Sequence, residues 1–509
     1  MKVYDMVVIG SGVGLTVTSQ AINAGMEVAL VEEGKFGGTC LTRGCIPSKV
    51  LIHPADLIRE AEHAKRVGLH FKLDKVDWKH ISERMWQEID ESKDIEKGIG
   101  NAPNLTAYKG IGEFTGDMEM KVKLNKTMEF TAPFKGEKIV IASGARTSIP
   151  PIDGIDKVGY VTSRSFFGEK FPDEPWNNLI IVGGGIIAAE FAHLFSAFGT
   201  KVHVVEMLPR LVSQEDPELS ALLERHFRKY MTVHLDKKAI LAEKHGSEKK
   251  LVVEDLNDGS RSEIIADEIF IAAGRRSNSD WLKPGKTGIE TDERGWIVTN
   301  RYMETTRDGI WCVGDANGKY QFRHTANYET EIAIRNIFNP GEKTAIDYTA
   351  TPWVIFTYPQ IGHVGMTEQE AIDAGHEIYV AKKRYGEVAK GFAMGYERED
   401  ELAGFVKLVI DKSRKLLGAH VIGSNAALLV QQATYIMNSG FECVLQDEQS
   451  GKAQLVSSRA CPDAGSIMPI AESQVIHPSL NEVLGWALGS MKPVNIKGRQ
   501  HHREHTHQH

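Results

Sequence analysis

The residues best suited to chemistry in this sequence are two cysteines five positions apart, in the stretch GGTCLTRGCIPSK at residues 37–49. Cys40 and Cys45 could hold a metal, act as a structural staple or form a working redox pair. A zinc site needs about four ligands, usually in close pairs, and apart from the histidines of residues 501–509 no second cysteine or histidine pair in the sequence has that spacing. A staple that closes so short a loop would stabilise little. The spacing therefore favours a redox pair, and we expect no metal.

The residues that follow indicate how this pair would be activated. Pro47 suits the first turn of a helix, so Cys45 would lie near the positive end of that helix, which lowers the pKa of a thiol. Residues five apart in a regular helix lie too far apart to bond, so Gly44 is predicted to permit a local distortion. Lys49, one turn further on, would place a positive charge beside the pair.

A candidate proton acceptor lies near the other end of the chain, in IHPSLNEVLGWAL. His477 precedes a proline, which restricts its backbone, and Glu482 follows five residues later. A carboxylate that orients a histidine raises its basicity and fixes its tautomer. This spacing alone is also that of a structural histidine near a helix start, so the assignment depends on the rest of the chain.

A glycine-rich turn near the N-terminus lies between two predicted strands, and a helix follows it, as in a βαβ unit. Gly10 would allow the tight turn, and Gly12 would let a pyrophosphate approach the backbone at a helix N-terminus. Gly14 belongs to the same motif, and Glu32 could accept hydrogen bonds from ribose hydroxyls. The usual third glycine would be residue 15, which is Leu15, so we expect the helix and strand to pack slightly further apart there.

The same pattern returns about 170 residues later, in NLIIVGGG and the helix and strand that follow. Gly183, Gly185 and Ala188 form its turn, and Glu206 closes its second strand. A carboxylate at this position hydrogen-bonds the 2′-hydroxyl of NAD and repels the 2′-phosphate of NADP, so we expect NAD. Arg210 weakens this preference, and a solvated strand end is the alternative reading of Glu206.

A third segment, TTRDGIWCVGDANG at residues 305–318, is predicted to be a buried strand that ends in Gly-Asp. It would deliver the carboxylate of Asp315 to a polar ligand near the carboxyl edge of a sheet. Cys312 lies within the strand and is expected to be plain core. Two nucleotide sites in one chain suggest two cofactors in electronic contact.

Composition excludes several classes of protein. A length of 509 residues predicts two to four domains. The net charge of -8 disfavours nucleic acid as a partner, and no apolar run approaches the roughly 20 residues needed to cross a bilayer. The first apolar stretch is too short for a secretion signal, and five cysteines are too few for a disulfide scaffold. We therefore predict a cytoplasmic location without membrane or nucleic-acid partners.

Together these segments resemble the flavin-dependent pyridine nucleotide–disulfide oxidoreductases, from about residue 3 to 490. GGTCLTRGCIPSK is close to the redox-active signature of that family, and HPSLNE resembles its His–Glu signature. ASGAR and AAGRRSN look like its connecting motifs, and FTYPQIGHVGMTEQEA looks like the start of its dimerisation domain. The resemblance implies an α/β fold with two Rossmann-like dinucleotide-binding domains, for FAD and NAD, and a C-terminal α+β dimerisation domain.

The resemblance also implies domain boundaries. The FAD-binding domain would be 1–150, the NAD(P)-binding domain 151–275, a central domain that completes the FAD site 276–350, the dimerisation domain 351–492, and a disordered His-rich tail 493–509.

The residue roles implied by the resemblance fall into two sets. Those that bind FAD would be Gly10, Gly12, Gly14, Glu32, Gly38, Thr39, Gly144 and Asp315, and those that bind NAD would be Gly183, Gly185, Glu206 and Gly274.

The catalytic groups would lie around a Cys40–Cys45 disulfide against the flavin. Cys45 would contact the flavin as the charge-transfer thiol, and Cys40 would exchange with substrate. Lys49 and Glu190 would pair near the reactive nitrogen of the flavin. His477, oriented by Glu482, would act as acid–base in the site of the partner subunit, which makes a homodimer necessary for catalysis.

Two branches of the family are matched by different segments. CIPSK and Glu206 resemble the dihydrolipoamide dehydrogenases, whereas IIAAEFAHLFSAFG, IFTYPQIG and YGEVAKGFAM resemble the mycothione reductases, which normally prefer NADPH. We expect electron transfer between a small dithiol and NAD, with dihydrolipoamide as the first candidate. The alternatives are a reductase of another low-molecular-weight disulfide and a non-catalytic FAD- and NAD-binding subunit with a structural disulfide.

One stretch departs from the family pattern. Residues 441–465 lengthen the approach to His477 and could form a loop near the substrate entrance. A redox role for Cys443 and Cys461, which lie in this stretch, is left open.

Overall fold

The computed structural model describes residues 1–439 and 468–482. The predictions for the stretch 441–465, with Cys443 and Cys461, and for the His-rich tail lie outside the described residues.

Strands and helices alternate along the chain. The strands are β1 (Lys2–Ile9), β2 (Val28–Glu32), β3 (Leu105–Gly116), β4 (Glu119–Leu124), β5 (Phe134–Ile141), β6 (Ala145–Thr147), β7 (Asn178–Val182), β8 (Lys201–Val205), β9 (Thr232–His234), β10 (Lys237–His245), β11 (Glu248–Asp255), β12 (Arg261–Ala266), β13 (Glu268–Ile271), β14 (Arg275–Ser277), β15 (Ile310–Cys312), β16 (Pro352–Ile355), β17 (Gln360–Gly365), β18 (Ile378–Arg384), β19 (Phe405–Asp411) and β20 (Leu416–Gly423). The helices are α1 (Gly14–Asn23), α2 (Gly38–Arg43), α3 (Cys45–His63), α4 (Trp78–Asn101), α5 (Ile155–Val158), α6 (Ser163–Phe166), α7 (Ile186–Ala197), α8 (Pro217–Phe227), α9 (Ser279–Leu282), α10 (Arg323–Phe338), α11 (Glu368–Asp373), α12 (Ala389–Ala393), α13 (Ala426–Met437) and α14 (Met468–Ala471).

The first sheet is built around β1, which pairs in parallel with β2 on one side and β5 on the other. β3 extends the parallel set beyond β2 and then turns back as an antiparallel hairpin with β4. β15 comes from much later in the chain and pairs in parallel with β5, with Cys312 opposite Ile141. Cys312 is fully buried, as expected for plain core. The segment around Asp315 is thereby brought to the carboxyl edge of the first sheet.

The described residues form three further sheets of more than two strands, and β14 pairs with β6. β13, β7, β8 and β9 form a second parallel sheet in that order, and β10, β11 and β12 form an antiparallel sheet beside it. β16, β17, β20, β19 and β18 form an antiparallel sheet against which α13 packs. The predicted fold class, an α/β protein with two Rossmann-like units and a C-terminal α+β domain, is confirmed, whereas the domain boundaries stay a prediction.

The packing of α1 on β1 differs from our expectation. A Cβ placed on Gly14 would lie 2.8 Å from Cγ1 of Val8, so the close approach of helix and strand occurs at this glycine. Leu15 is only half-buried and packs at the edge of the neighbouring core. The prediction that helix and strand separate at Leu15 is wrong because the chain makes the contact one residue earlier.

No helix within residues 1–439 and 468–482 is long and apolar enough to cross a bilayer.

Candidate active site

The two cysteines lie at the junction of two helices. α2 contains Cys40 and ends at Arg43, and α3 begins at Cys45. Gly44 separates them, and a Cβ there would lie 2.9 Å from the carbonyl oxygen of Thr39. The break predicted at Gly44 is therefore present, and only a residue without a side chain allows the turn to close this tightly. Cys45 occupies the first turn of α3, where the helix dipole favours a thiolate.

The surroundings of Cys40 and Cys45 shift the pKa values of the two thiols in opposite directions. A hydrogen bond from Cys40 and, to a smaller extent, the charges of Lys49, His477 and Arg323 together lower the pKa of Cys45 to about 6, against the effect of burial. The same bond and burial raise the pKa of Cys40 well above its usual value. In the dithiol form the pair therefore holds a negative charge on Cys45 and a proton on Cys40 near pH 7.

The imidazole of His477 faces the thiol of Cys40. Nε2 of His477 lies 3.2 Å from Sγ of Cys40, and Nδ1 lies 2.7 Å from Oε1 of Glu482. Glu482 is fixed in turn by the backbone N–H of Ser479, which donates to Oε2 at 3.2 Å. Because the carboxylate accepts only, it assigns the proton of a neutral imidazole to Nδ1. The lone pair of Nε2 then faces the thiol of Cys40, as a general base requires.

Which subunit of a homodimer supplies this imidazole stays a prediction. We expected His477 to serve the site of the partner subunit, but the structure places it against Cys40 of its own chain. The sequence does not distinguish a His477–Glu482 pair that serves its own chain from one that serves the partner subunit, because both copies of the pair in a homodimer are chemically identical. Residues 440–467 separate the two described ranges.

His324 is a residue that the sequence analysis missed. It is buried, its Nε2 lies 2.6 Å from the carbonyl oxygen of Pro352, and the backbone N–H of His477 donates to its Nδ1 at 3.4 Å. Burial lowers the pKa of His324 to about 4, so this ring stays neutral and can accept. It fixes the backbone of His477, and no motif in the sequence marks it.

Lys49 and Glu190 pair as predicted. Nζ of Lys49 donates to Oε2 of Glu190 at 2.8 Å, while the backbone N–H of Phe356 donates to Oε1 at 3.1 Å. Glu190 is buried in the middle of α7. The pair thus ties the helix that carries Cys45 to the second dinucleotide-binding unit.

A cavity of about 1330 Å³ joins these groups. Of the residues predicted for catalysis and cofactor binding, those that line it are Gly10, Gly12, Glu32, Gly38, Thr39, Cys40, Cys45, Lys49, Gly144, Gly183, Gly185, Glu190, Glu206, Gly274, Asp315 and His477. Gly14 lies beneath the turn against β1, and Glu482 lies behind His477. One cavity therefore connects both glycine turns with the cysteine pair.

The first glycine turn forms a cradle that side chains would fill. Gly10 has φ +101°, and a Cβ there would lie 2.2 Å from the carbonyl oxygen of Ala142. A Cβ on Gly38 would lie 2.5 Å from Cα of Gly12. Oε2 of Glu32 accepts the backbone N–H of Ser11 at 2.8 Å, which turns the carboxylate toward the cavity. These features fit the pyrophosphate and ribose of a dinucleotide such as FAD.

The second turn repeats this construction. Gly183 has φ +117°, and a Cβ there would lie 2.4 Å from the carbonyl oxygen of Ala272. Oε2 of Glu206 accepts the backbone N–H of Gly184, and Oε1 accepts that of Leu208 at 2.8 Å. Gly184, which the sequence analysis passed over, is needed because a Cβ there would lie 2.8 Å from Oε2 of Glu206. The turn fits a second dinucleotide, and its acid is oriented as in the first.

Comparisons with known proteins agree with this arrangement. The family described as "Pyridine nucleotide-disulphide oxidoreductase" matches residues 4–330, and its dimerisation domain matches 351–451, which supports a homodimer. A mycothione reductase of Mycobacterium tuberculosis is 32% identical over 452 residues, which cover 86% of this chain and 94% of that protein. A dihydrolipoyl dehydrogenase of Chlamydia muridarum is 31% identical over 437 residues, 85% of this chain and 90% of the relative.

Among solved structures, the chain is similar to the HOCl-induced flavoprotein disulfide reductase RclA from Escherichia coli. The TM-score is 0.72 at 27% identity, and the match covers 85% of this chain and 93% of the other. The chain therefore belongs to the pyridine nucleotide–disulfide oxidoreductases, flavoproteins that use FAD and NAD(P)H.

Proposed function

We propose that this protein transfers electrons between a small dithiol and NAD, with dihydrolipoamide as the first candidate substrate. The observation that supports this most strongly is the array of Cys45, Cys40, His477 and Glu482 at the cavity shared by both dinucleotide turns. A non-catalytic subunit would need neither an acidic thiol at Cys45 nor a base beside Cys40. We retain the prediction of a cytoplasmic location and of a small-molecule partner.

The thiol exchange begins from the disulfide form of the cysteine pair. A substrate thiol gives its proton to Nε2 of His477, and Glu482 stabilises the imidazolium. The substrate thiolate attacks Sγ of Cys40, the Cys40–Cys45 bond breaks, and Cys45 leaves as a thiolate. The second substrate thiol then releases its proton to solvent and attacks the mixed disulfide, so the oxidised cyclic product leaves and Cys40 takes the first proton back from His477, while Cys45 stays a thiolate. The substrate has lost two electrons, and the cysteine pair has gained them.

The surroundings of Cys45 suit the next transfer. FAD, when bound, supplies two-electron chemistry between the cysteine pair and the nicotinamide. The thiolate of Cys45 is the electron-rich partner because its neighbours lower its pKa to about 6. We assign to Lys49, held by Glu190 at 2.8 Å, the task of placing a positive charge beside the flavin.

The choice of NAD depends on Glu206. Its carboxylate is held at the end of β8 by two backbone N–H groups and lines the cavity. A fixed carboxylate there can accept from the 2′-hydroxyl of NAD and repels the 2′-phosphate of NADP.

The second candidate is an NAD(P)H-dependent reductase of another low-molecular-weight disulfide. Arg210, Lys237 and Lys238 line the cavity near Glu206 and could compensate a 2′-phosphate. A mycothione reductase is also among the similar proteins. Direction of electron flow depends on the potentials of the partners, which neither candidate fixes.

An anaerobic substrate panel separates these candidates. Purified enzyme would be assayed with dihydrolipoamide plus NAD, and with several disulfides plus NADH or NADPH. We expect the highest kcat/KM for dihydrolipoamide with NAD, and NADH to be preferred over NADPH. Faster reduction of another disulfide with NADPH would establish the second candidate. No turnover of any thiol or disulfide, with flavin that NADH fails to bleach, would indicate the non-catalytic subunit.

A further inference from the structure

A second group of reactive side chains lies outside the active site, where the antiparallel sheet meets the loop before α8. His363 on β17 and His420 on β20 face each other directly across the two strands, and Glu215 approaches them from the loop. All three residues are buried. Nδ1 of His363 lies 3.1 Å from Oε2 of Glu215 and 3.2 Å from Nδ1 of His420. We call these three residues the Glu–His–His cluster.

The hydrogen bonds of the two rings fix where their protons are. Nε2 of His363 lies 2.9 Å from the carbonyl oxygen of Gly365, and Nε2 of His420 lies 2.9 Å from that of Met366. A carbonyl oxygen only accepts, so each Nε2 carries the hydrogen, and each neutral ring presents a lone pair at Nδ1. The carboxylate of Glu215 adds a third acceptor. Three buried acceptors that converge with no donor among them repel one another, and a cation relieves this.

The buried charges around the cluster also favour a cation among its three acceptors. Glu215 and Asp216 are adjacent carboxylates whose side chains are each 1% exposed. Lys407 is the buried cation beside them, and it donates to Asp216 at 2.8 Å and to the half-exposed Glu218 and Glu368. The ammonium of Lys407 therefore pairs with Asp216, while Glu215 faces the two imidazoles. A buried carboxylate in that position requires a positive partner.

We propose that the Glu–His–His cluster binds one divalent metal ion of the zinc type through Glu215, His363 and His420. Zinc bonds of about 2.0–2.1 Å in a tetrahedron separate neighbouring ligand atoms by about 3.3–3.4 Å. Two of the three separations in the cluster are 3.1 and 3.2 Å, and all three ligand atoms lie within 4.8 Å of one another. Metal-bound histidines donate their other N–H to a carbonyl or carboxylate, as both rings do here.

The second contacts of the ligands and the access route suit a metal as well. Nε1–H of Trp353 donates to Oε1 of Glu215 at 2.5 Å, and the indole stacks on the ring of His363 with centroids 3.5 Å apart. These contacts fix the orientation of both ligands. Glu215 and Trp353 also line the large cavity, which provides an entry path and room for a water as fourth ligand. The ion would clamp the antiparallel sheet to the loop before α8. A single proton on one Nδ1 is the competing occupant.

The test uses the full-length protein with its cysteines oxidised, stripped with a chelator and titrated with Zn²⁺ and with Co²⁺. We expect wild type to bind one ion per chain more than Glu215→Gln, and its melting temperature to rise with Zn²⁺. Glu215→Gln keeps an acceptor for Trp353 but loses the anionic ligand, so we expect its affinity to fall at least about tenfold. His203→Gln is the control, since its ring bonds to His234 at 3.3 Å in another part of the fold. It should keep the wild-type response.

The histidines of residues 501–509 are present equally in all three proteins, so their binding cancels in the comparison. Equal stoichiometry in wild type and Glu215→Gln, with no rise in melting temperature, would overturn the proposal in favour of a proton. If Glu215→Gln does not fold, X-ray absorption of wild type with one equivalent of Zn²⁺ decides. Two imidazole ligands and oxygen ligands at about 2.0–2.1 Å support the site, and an all-histidine or sulfur-containing shell contradicts it.

Discussion

At the scale of single residues, two thiols five positions apart differ because their neighbours differ. Cys45 lies in the first turn of α3 with Lys49 on the same helix, whereas Cys40 faces His477. The spacing and the helix start were readable from sequence, so the acidic role of Cys45 could be predicted. The hydrogen bond from Cys40, which is the largest cause of the low pKa, depends on the break at Gly44 and needed the structure.

The low pKa of Cys45 gives a testable pH dependence. In the reduced enzyme, alkylation of Cys45 by iodoacetamide should accelerate as pH rises through about 6, because the thiol loses its proton there. Cys40→Ala removes the hydrogen bond and should move this transition to higher pH. Cys40→Ser keeps a donor and should leave it low. Mass spectrometry of the modified peptide measures the alkylation rate. The same transition pH in both variants would contradict the assignment of the low pKa to the hydrogen bond from Cys40.

The dyad of His477 and Glu482 has a separate test. His477→Gln should lower thiol–disulfide turnover by roughly 10²–10⁴-fold, because it removes the base that takes the substrate proton. Reduction of a quinone by NADH should be nearly unchanged, since that reaction bypasses the cysteines. Glu482→Gln should cost less and shift the pH profile of turnover. A parallel loss of both activities in His477→Gln would make the residue structural.

Other residues of the site could not be found in the sequence. His324 acts through the backbone of His477, which is 153 positions away. His363 and His420 meet only because β17 and β20 pair in one register, and the expectation of no metal considered only cysteines and histidines that are close in sequence. Contacts of this kind are set by tertiary pairing, which leaves no local pattern.

At the scale of elements, the two βαβ units are built alike. In each, the first glycine sits against the carbonyl oxygen of an alanine in the connecting motif, at Ala142 and at Ala272. In each, the acid at the end of the second strand accepts the backbone N–H that follows that glycine. The alternation of apolar strand, glycine turn and helix made both units predictable. The prediction at Leu15 was wrong because it assumed that the close contact of helix and strand must lie at the usual third-glycine position, whereas it lies at Gly14.

The approach of α2 to the first glycine turn can be tested with two matched variants. Gly38 has φ +70° and Gly25 has φ +80°, but a Cβ on Gly38 would lie 2.5 Å from Cα of Gly12, whereas one on Gly25 meets open space. Alanine at either position should cost about 1–2 kcal/mol for its left-handed backbone. Only Gly38→Ala should also weaken FAD binding, by roughly 10- to 100-fold, the equivalent of about 1–3 kcal/mol of overpacking.

Flavin fluorescence measures both effects, as the dissociation constant for FAD and as the temperature at which the flavin is released. Equal FAD affinities in the two variants would show that the contact between α2 and the turn does not shape the site.

At the scale of the whole molecule, the family places this chain in a homodimer, and the structure places His477 against Cys40 of the same chain. Two inactive variants, Cys45→Ser and His477→Gln, can be mixed and their subunits exchanged by mild unfolding and refolding. The mixture then shows whether His477 serves the cysteine pair of its own chain or that of the partner subunit. The contact within one chain predicts no recovery of thiol turnover, because no chain carries both groups. Recovery toward one quarter of wild-type activity would show that the dyad reaches across the dimer.

In the proposed reaction, the Cys40–Cys45 pair relays electrons between NAD(H) and the thiol substrate. This relay is tested most directly by adding NADH to the oxidised enzyme without oxygen, trapping thiols with an alkylating reagent and mapping them by mass spectrometry. We expect Cys40 and Cys45 to change from a disulfide to two alkylated thiols, while buried Cys312 stays unmodified until the protein is unfolded. A Cys40–Cys45 disulfide that survives NADH, while the same sample still reduces a quinone, would contradict it.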